Sequence, residues 1–283
     1  MKALKIILRK KLNWRMKLFN GIQMKRRNVV LLTVMLLLFM LTNQLSAQEH
    51  QLFTDVLKKY VINGLVDYEN LTMDKQLDKY LEQLSNTNPD KLNKNQKLAY
   101  WINAYNAYTL QIIRDNYPIK SINELHTGGK IIAHIIGKTV WDKEFITINN
   151  KKYSLNDIEH KILRKMNEPR IHFAIVCASI SCPEILTEAF EADRIEEQLY
   201  KATITFLTDK ERNDFDLSKR RAYLSKIFDW FDDDFGRNDK EILMYVAQFL
   251  PDNIKTDITK NTNEWKISYK NYDWNLNEIK IKD

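Results

Sequence analysis

Apolar residues recur at helical spacing through the first half of the chain. Large apolar side chains return every three or four positions in three successive segments, a period typical of helices with one buried face. The second and third segments stop before Pro89 and Pro118, because the residue preceding a proline disfavours helical geometry. The predicted helices cover residues 52–62, 77–87 and 95–116.

The second half mixes short strand patterns with helices. Residues 145–153 alternate around Asn149-Asn150 and predict a β-hairpin, and the apolar run 171–177 predicts a buried strand. Further strands are predicted at 222–225 and 265–269, and further helices at 154–164, 195–207, 227–235 and 241–250. The sum predicts an α+β fold: a single domain over 48–283 whose helix-rich N-terminal half packs on a small, mainly antiparallel sheet.

The first 47 residues differ from the rest, with ten Lys and Arg and no Asp or Glu. Basic residues at 25–27 precede an uncharged run over 29–41, and Ser46-Ala47 precede Gln48. This order is typical of a secretory signal peptide, and the apolar run is shorter than the about 20 residues that span a bilayer. We therefore predict a signal segment over 1–47, with the true start at Met24. The protein is then exported to the periplasm or the extracellular space, and an uncleaved anchor is the alternative.

Charge and cysteine content narrow the classes of function. The chain has 44 basic and 37 acidic residues, and ten of the basic ones fall in the first 47 positions, which leaves 34 basic against 37 acidic. No basic domain surface is expected, so nucleic-acid binding is not predicted. The two cysteines, Cys177 and Cys182, lie close together in the sequence, and an oxidising compartment permits a disulfide between them.

The densest cluster of reactive side chains lies between residues 159 and 182. A thiol nucleophile needs a base, and the base needs an orienting partner. Pro183 suits the first turn of a helix, and a thiol at such a helix start has a lowered pKa, so Cys182 is the preferred nucleophile. Cys177 is the alternate, because it ends an apolar strand where buried thiols are usually inert.

The base is less well defined than the nucleophile. His172 is the preferred base, His160 the alternate, and Glu159 the orienting carboxylate. A straight strand would separate His172 from Cys177 by about 16 Å, so the loop over 178–181 must fold back to bring His172 to Cys182.

Other interpretations of the same residues remain open. Glu159 pairs with a nearby arginine in one of them, and the cysteines form a structural disulfide in another. A zinc site from His172, Cys177 and Cys182 lacks a clear fourth ligand. We predict no metal and no cofactor.

A second notable stretch is the aromatic segment 100–108. An aromatic stripe at helical spacing usually packs in a core, whereas Asn103 and Asn106 are less ordinary there, because buried amides must be hydrogen-bonded. We predict that both amides are buried and bonded to nearby backbone or to the active-site region. Together with Trp101 they are candidate binding residues that line a cleft.

Several segments resemble the domain of unknown function 547 family and occur in the family's order. These segments are 98–107, 154–164, 170–183, 225–235 and 272–277. The resemblance implies a likeness to papain-like thiol enzymes. It also implies a catalytic set on Glu159, His172 and either Cys177 or Cys182.

The function predicted from these features is an exported thiol hydrolase or acyl-transferase that acts on an amide or ester. Its substrate is unknown, with a peptide or cell-envelope component as candidates, and membrane contact is expected only through the signal segment. The alternative is a non-catalytic envelope binding or interaction domain whose cysteines are structural.

Overall fold

The computed structural model describes residues 50–126 and 139–279. These residues form a mixed α+β structure that is mostly helical and carries small sheets. The predicted signal segment lies outside the described residues. The helices are α1 (Gln51–Tyr60), α2 (Tyr68–Leu71), α3 (Gln76–Asn86), α4 (Lys94–Arg114), α5 (Ile195–Thr208), α6 (Ile227–Trp230), α7 (Asp232–Phe235), α8 (Asp239–Ala247) and α9 (Asp252–Asn261).

The strands form three small sheets in the described residues, so the prediction of one small sheet is wrong. Two sheets are hairpins, and in the third, β5–β6–β7, the central strand β6 is antiparallel to β5 and parallel to β7. The hairpin predicted at 145–153 is confirmed as β3–β4, with Asn149 and Asn150 both at positive φ in its turn. The strands are β1 (Val61–Ile62), β2 (Leu65–Val66), β3 (Ile146–Ile148), β4 (Lys151–Tyr153), β5 (Asp214–Asp216), β6 (Arg221–Leu224) and β7 (Lys266–Tyr269).

Helix α4 is the central element of the N-terminal half. Asn93 and Gln96 form a reciprocal capping box at its start, which satisfies two backbone donors that the helix itself leaves unpaired. Fifteen of its 21 residues are buried. Burial on nearly every face explains why polar residues inside this helix need partners from other segments.

Two hydrophobic clusters form the interior. The larger one includes α1, α3 and α4, and the smaller one includes α8, the end of α5 and residues around the β5–β6–β7 sheet. A 3-10 helix, Pro169–Phe173, connects the clusters, because Ile171 packs in the first and Phe173 in the second. His172 lies between these two residues and is itself 3% exposed.

Two predicted elements around the cysteines are wrong. Residues 171–177 form the end of that 3-10 helix and a buried loop instead of a strand, and no helix begins at Pro183. The run is apolar because it is buried, and its backbone groups find partners outside any sheet. The segment predicted as a helix at 154–164 contains a π-helix, Asp157–Leu163.

The chain end returns to the cysteine loop. The backbone N–H groups of Ile180 and Ser181 donate to the carbonyls of Asn275 and Asp273, and Asn277 N–H donates to the Ala178 carbonyl. This pairing places residues 272–277 beside residues 177–182. Within the two described ranges, no helix is long and apolar enough to cross a membrane.

Candidate functional site

A cavity of about 170 Å³ gathers the reactive residues that the sequence analysis singled out. Glu159, His160, His172, Cys177 and Cys182 all line it. Its wall also includes Tyr105, Asn156, Ile175, Pro183, Ile227 and Phe231, and its remaining lining residues are Trp141, Trp230, Tyr272 and Trp274.

Both thiols are free and directly adjacent. Their Sγ atoms lie 2.9 Å apart, and the backbone N–H of Cys177 donates to Cys182 Sγ at 2.8 Å. Cys177 Sγ is also 3.2 Å from the hydroxyl oxygens of Ser179 and Tyr272. The Ser179 hydroxyl in turn donates to the Tyr272 hydroxyl at 3.2 Å, so Cys177 Sγ belongs to a small hydrogen-bonded network of one thiol and two hydroxyls.

These contacts reverse the order of acidity expected from the sequence. The hydrogen bond between the two thiols lowers the pKa of Cys177 against the opposing effect of burial, and the contacts with the Ser179 and Tyr272 hydroxyls lower it further. Burial raises the pKa of Cys182, and its hydrogen bond to Cys177 raises it again. The argument for Cys182 depended on a helix at Pro183 that does not form, so the geometry favours the alternate thiol, Cys177.

The backbone directly after Cys177 is in a conformation that side chains rarely adopt. Ala178 has φ of +60°, in the left-handed region where a residue with a Cβ is unfavourable by roughly 1–2 kcal/mol. Its carbonyl accepts from Asn277 N–H, and Ser179 bridges to Leu276. Pairing with the chain end thus supports a sharp turn between Cys177 and Cys182, whose sulfur atoms lie 2.9 Å apart.

His172 is held by a carboxylate, and that carboxylate belongs to Asp234. The His172 Nε2 to Asp234 Oδ2 distance is 2.6 Å, and Arg164 binds the same carboxylate with both its Nε and an Nη atom, at 2.5 and 2.9 Å. Burial opposes ionisation of Asp234, yet the hydrogen bonds from His172 and Arg164 hold its pKa well below the usual range. Burial lowers the pKa of His172, with Asp234 acting in the opposite direction.

Glu159 does not make the hydrogen bond to His172 that the sequence suggested. Its Oε1 is 4.0 Å from His172 Nδ1, and its Oε2 accepts from the Tyr105 hydroxyl at 3.2 Å. Burial raises the pKa of Glu159 to about 7, although the Tyr105 hydrogen bond opposes that shift and the nearby Cys177 adds to it. A carboxyl group with this pKa exchanges protons readily near neutral pH.

His160, the alternate base, faces the same cavity from the π-helix. Its Nδ1 is 3.2 Å from Arg164 Nη1, and burial together with the Arg164 charge lowers its pKa. No imidazole of the described residues lies within hydrogen-bond distance of either thiol. Both imidazoles thus line the same cavity as the thiols, and neither imidazole contacts a thiol directly.

The two asparagines of α4 are buried and hydrogen-bonded, as predicted. The Asn106 amide donates to the Ala174 carbonyl at 2.9 Å and accepts from Val176 N–H at 2.9 Å. The Asn103 amide bonds the backbone N–H and carbonyl of Phe190 in the same way. These two residues and Trp101 are at most 3% exposed and are not among the cavity-lining residues. Their contacts hold loops in place.

Four aromatic side chains at the cavity were missed by the sequence reasoning. They are Trp141, Trp230, Tyr272 and Trp274, here called the aromatic platform. Their ring centroids lie 4.6–5.7 Å apart in four pairs, and Trp230 is 43% exposed. Residues 272–274 were noted only as part of a resemblance, and their proximity to the cysteines depends on the return of the chain end.

Asp234 was also missed as a functional residue. The signal available was its place in the segment 225–235 that carried the family resemblance, but three consecutive aspartates there give no reason to single out the third. Within residues 50–126 and 139–279, no group of three or more His, Cys, Asp and Glu side chains has the geometry to hold a metal ion.

Comparison with known proteins identifies one family. Residues 89–207 match the family described as "Protein of unknown function, DUF547", so the chain carries a DUF547 domain over that range. The match includes Glu159, His172 and both cysteines, whereas Asp234 and three of the four platform residues lie beyond it. No curated protein and no solved structure matches the chain.

Proposed function

We propose that this DUF547 domain belongs to a thiol hydrolase or acyl-transferase that acts on an ester or amide, with Cys177 as the nucleophile. The observation that carries the proposal is the Cys177 sulfur, which lies in a cavity in contact with the Cys182 thiol and the Ser179 and Tyr272 hydroxyls. Burial, together with the charge of this sulfur, raises the pKa of the Glu159 carboxyl in the same cavity. Donors around a sulfur favour the thiolate, which is the nucleophilic form. The likeness to papain-like enzymes enters this proposal through the thiol, imidazole and carboxylate set.

In the proposed reaction the Cys177 thiolate attacks the carbonyl carbon and forms a C–S bond. The C–O or C–N bond then breaks, and the leaving alcohol or amine takes a proton from the neutral carboxyl of Glu159. Water, or an acceptor alcohol or amine in the transfer reaction, attacks the thioester and gives its proton to the Glu159 carboxylate. The sulfur leaves as thiolate, which restores the starting state.

His172 acts in this proposal as a second proton carrier held in one orientation by Asp234. Because the Asp234 carboxylate is paired with Arg164, it stays ionised and fixes the proton on the His172 nitrogen that it contacts. The other ring nitrogen then faces Glu159 at 4.0 Å. This nitrogen can therefore stabilise a proton on Glu159 or accept it, while the thiol keeps its position.

The test is the acylation of the reduced protein by p-nitrophenyl acetate, followed by mass mapping of the acyl group. We expect a thioester on Cys177 and turnover that is lost in Cys177→Ser. Glu159→Gln is expected to lower kcat by at least about 100-fold, the usual contribution of a general acid or base, with little change in KM. Acylation of Cys182 instead would assign the nucleophile to Cys182.

The unfolded protein and the variant Asp234→Asn serve as controls. Urea-unfolded protein reports the intrinsic reactivity of an exposed thiol, and the native rate must exceed it. In Asp234→Asn the imidazole loses its charged partner, so slower turnover with an unchanged acylation site is expected. Equal rates in native and unfolded protein would contradict an activated thiol.

A binding domain remains the second candidate function, and the aromatic platform is the observation that favours it. Exposed aromatic side chains packed beside a cavity are typical of ligand-binding surfaces. In that case the adjacent thiols would serve structure once oxidised to a disulfide. The absence of any thioester on reduced, native protein would favour this second candidate.

A further inference from the structure

We infer that the aromatic platform binds a neutral carbohydrate, so that the ester or amide cleaved at Cys177 is attached to a sugar. The carbohydrate-binding part stands on the platform alone, whereas its link to cleavage rests on the proposed function. The platform and the thiols line one cavity, and Tyr272 belongs to both, because its hydroxyl is 3.2 Å from Cys177 Sγ while its ring packs on Trp230 and Trp274.

The platform rings form a continuous surface rather than a cage. The Trp230 and Trp274 rings are stacked, with planes 27° apart and centroids at 5.6 Å; Tyr272 packs against both at about 50°, and Trp141 packs edge-on to Trp274. Rings in mutual contact leave no gap for a cation between them, as an aromatic cage requires. They offer instead flat faces, on which the C–H groups of a sugar ring can rest while its hydroxyls stay in water.

Charges around the cavity favour a neutral ligand. Among the described residues that line it, there is no Lys or Arg to pair with a carboxylate or phosphate, and Glu159, whose pKa is raised, is the one carboxylate. The acidic neighbours of the platform already have hydrogen-bond partners, and Asp273, between two platform residues, accepts from the Asn275 backbone N–H at 2.9 Å. Asp142 accepts from the Asn156 amide at 2.6 Å, and Asp229 pairs with Lys226 at 2.5 Å.

Polar groups at the cavity suit hydroxyl and N-acyl groups. Asn156 and His160 line it, and since the Asn156 amide nitrogen is bonded to Asp142 and His160 Nδ1 contacts Arg164, the Asn156 Oδ1 and the His160 Nε2 are the atoms offered to a ligand. A long aliphatic chain could not hydrogen-bond to these two atoms, and unpaired polar atoms in a filled site weaken binding. A sugar satisfies both the flat aromatic faces and the polar groups.

The experiment is calorimetric titration of the Cys177→Ser protein, which binds without cleaving, with two neutral probes: tetra-N-acetylchitotetraose and cellotetraose. We expect saturable binding of at least one, accompanied by a change in tryptophan emission, since three of the chain's six Trp residues belong to the platform. Trp230→Ala should weaken that binding about tenfold, in line with the loss of one aromatic stacking contact. Trp230→Tyr keeps a stacking face and should recover much of the affinity.

Tyr200→Ala is the matched control, because Tyr200 is 50% exposed on α5 and does not line the cavity. It should bind the probe as Cys177→Ser does, and melting curves must show each variant folded. Tighter binding of methyl hexanoate or tetramethylammonium than of either sugar would overturn the inference. So would sugar binding that is indifferent to both Trp230 variants. Because no step requires a reactive thiol, failure of thiol catalysis leaves these outcomes readable on their own.

Discussion

Two carboxyl groups on opposite sides of one imidazole ionise in opposite directions. Asp234 is held as the anion by Arg164 and His172, whereas burial keeps Glu159 largely protonated up to neutral pH. The difference follows from their partners: Asp234 receives charged donors, and Glu159 receives only the neutral Tyr105 hydroxyl as a hydrogen bond. Divergent environments of this kind separate the charged anchor of a site from its proton donor.

Glu159→Gln should raise the stability of the fold at alkaline pH. The folded pKa of about 7 lies above the ordinary 4.5, so the folded state binds the Glu159 proton more tightly than the unfolded state does. This contribution is fully present below about pH 4.5 and is lost as pH rises to 7. Glutamine does not titrate, so the variant should gain up to roughly 3 kcal/mol over wild type above pH 7. Urea unfolding of both proteins at pH 4 and pH 8 measures this difference in the free energy of unfolding.

Tyr105→Phe is the companion variant. It removes the hydrogen bond that favours the ionised form of Glu159, so the pKa of Glu159 should rise further. The fall in stability that wild type shows as pH rises to 7 should therefore occur at higher pH in Tyr105→Phe. If the free energy of unfolding depends on pH in the same way in Glu159→Gln and in wild type, then folding does not raise the pKa of Glu159, and the group is ionised in the fold at neutral pH.

Cys182→Ala should shift the alkylation of Cys177 to higher pH. The hydrogen bond with the Cys182 thiol contributes most to the lowered pKa of Cys177, and its removal leaves the contacts with the Ser179 and Tyr272 hydroxyls. The rate of iodoacetamide labelling against pH, with the site mapped by mass spectrometry, gives the midpoint. Tyr272→Phe should cause a smaller shift in the same direction. Labelling confined to Cys182 in wild type would contradict this order.

At the scale of elements, a helix side chain does the work of a missing strand. Asn106 on α4 supplies both hydrogen bonds that a neighbouring strand would give to residues 174 and 176. The apolar run 171–177 matches the pattern of a buried strand, because burial sets that pattern and a buried loop shares it. What distinguishes the loop is a partner about 70 residues earlier in the sequence.

The asparagine pair allows a matched comparison. Asn106→Ala and Asn103→Ala each leave two buried backbone groups without partners and should each lower the free energy of unfolding by roughly 2–5 kcal/mol. Only Asn106→Ala should change the native labelling rate of Cys177, because its loop leads directly into that residue. Equal effects of both variants on labelling would show that the rate follows global stability.

Local pattern predicted most elements and not their assembly. The apolar periodicity within α1, α3, α4 and α5 is enough to predict these helices, and the β3–β4 hairpin is predicted by the turn residues within its own segment. The candidate residues Glu159, His172, Cys177 and Cys182 are also gathered in one cavity, as expected. Asp234 and the platform could not be foreseen, because only long-range contacts bring them to the site. Asp234 reaches His172, and the platform residues reach the cavity, from 45 or more positions beyond Cys182 or, for Trp141, from 18 positions before Glu159.

At the scale of the molecule, the described fold begins two residues after the predicted cleavage position. His50 is 3% exposed, and its Nδ1 is 2.7 Å from the Tyr80 hydroxyl. The predicted mature N-terminus, Gln48, would therefore lie two positions before His50, the first described residue. Burial lowers the pKa of His50 to about 4, so His50 is neutral in the fold at neutral pH.

Expression in an export-competent host should yield a protein that begins at Gln48. Residues 25–47 have the order of a signal peptide, and cleavage there leaves the His50 contact intact. N-terminal sequencing identifies the first residue, and a chain lacking residues 1–47 should melt at the same temperature as the processed protein. His50→Ala should lower that temperature. A membrane-bound protein that retains residues 29–41 would instead support the uncleaved anchor.

The position of His172 between the two hydrophobic clusters predicts how the proposed activity is lost when the protein is stored or gently heated. Segments of a fold open separately, and the smaller cluster, in which Phe228, Phe231 and Phe235 pack, close to Trp230 and Asp234 in the sequence, can loosen while α4 and the thiol loop stay packed. Such an opening separates the imidazole from its anchor and the platform from the thiol. During storage or mild heating, function is therefore expected to fade while the helical signal stays intact, and activity becomes the more sensitive gauge of sample quality.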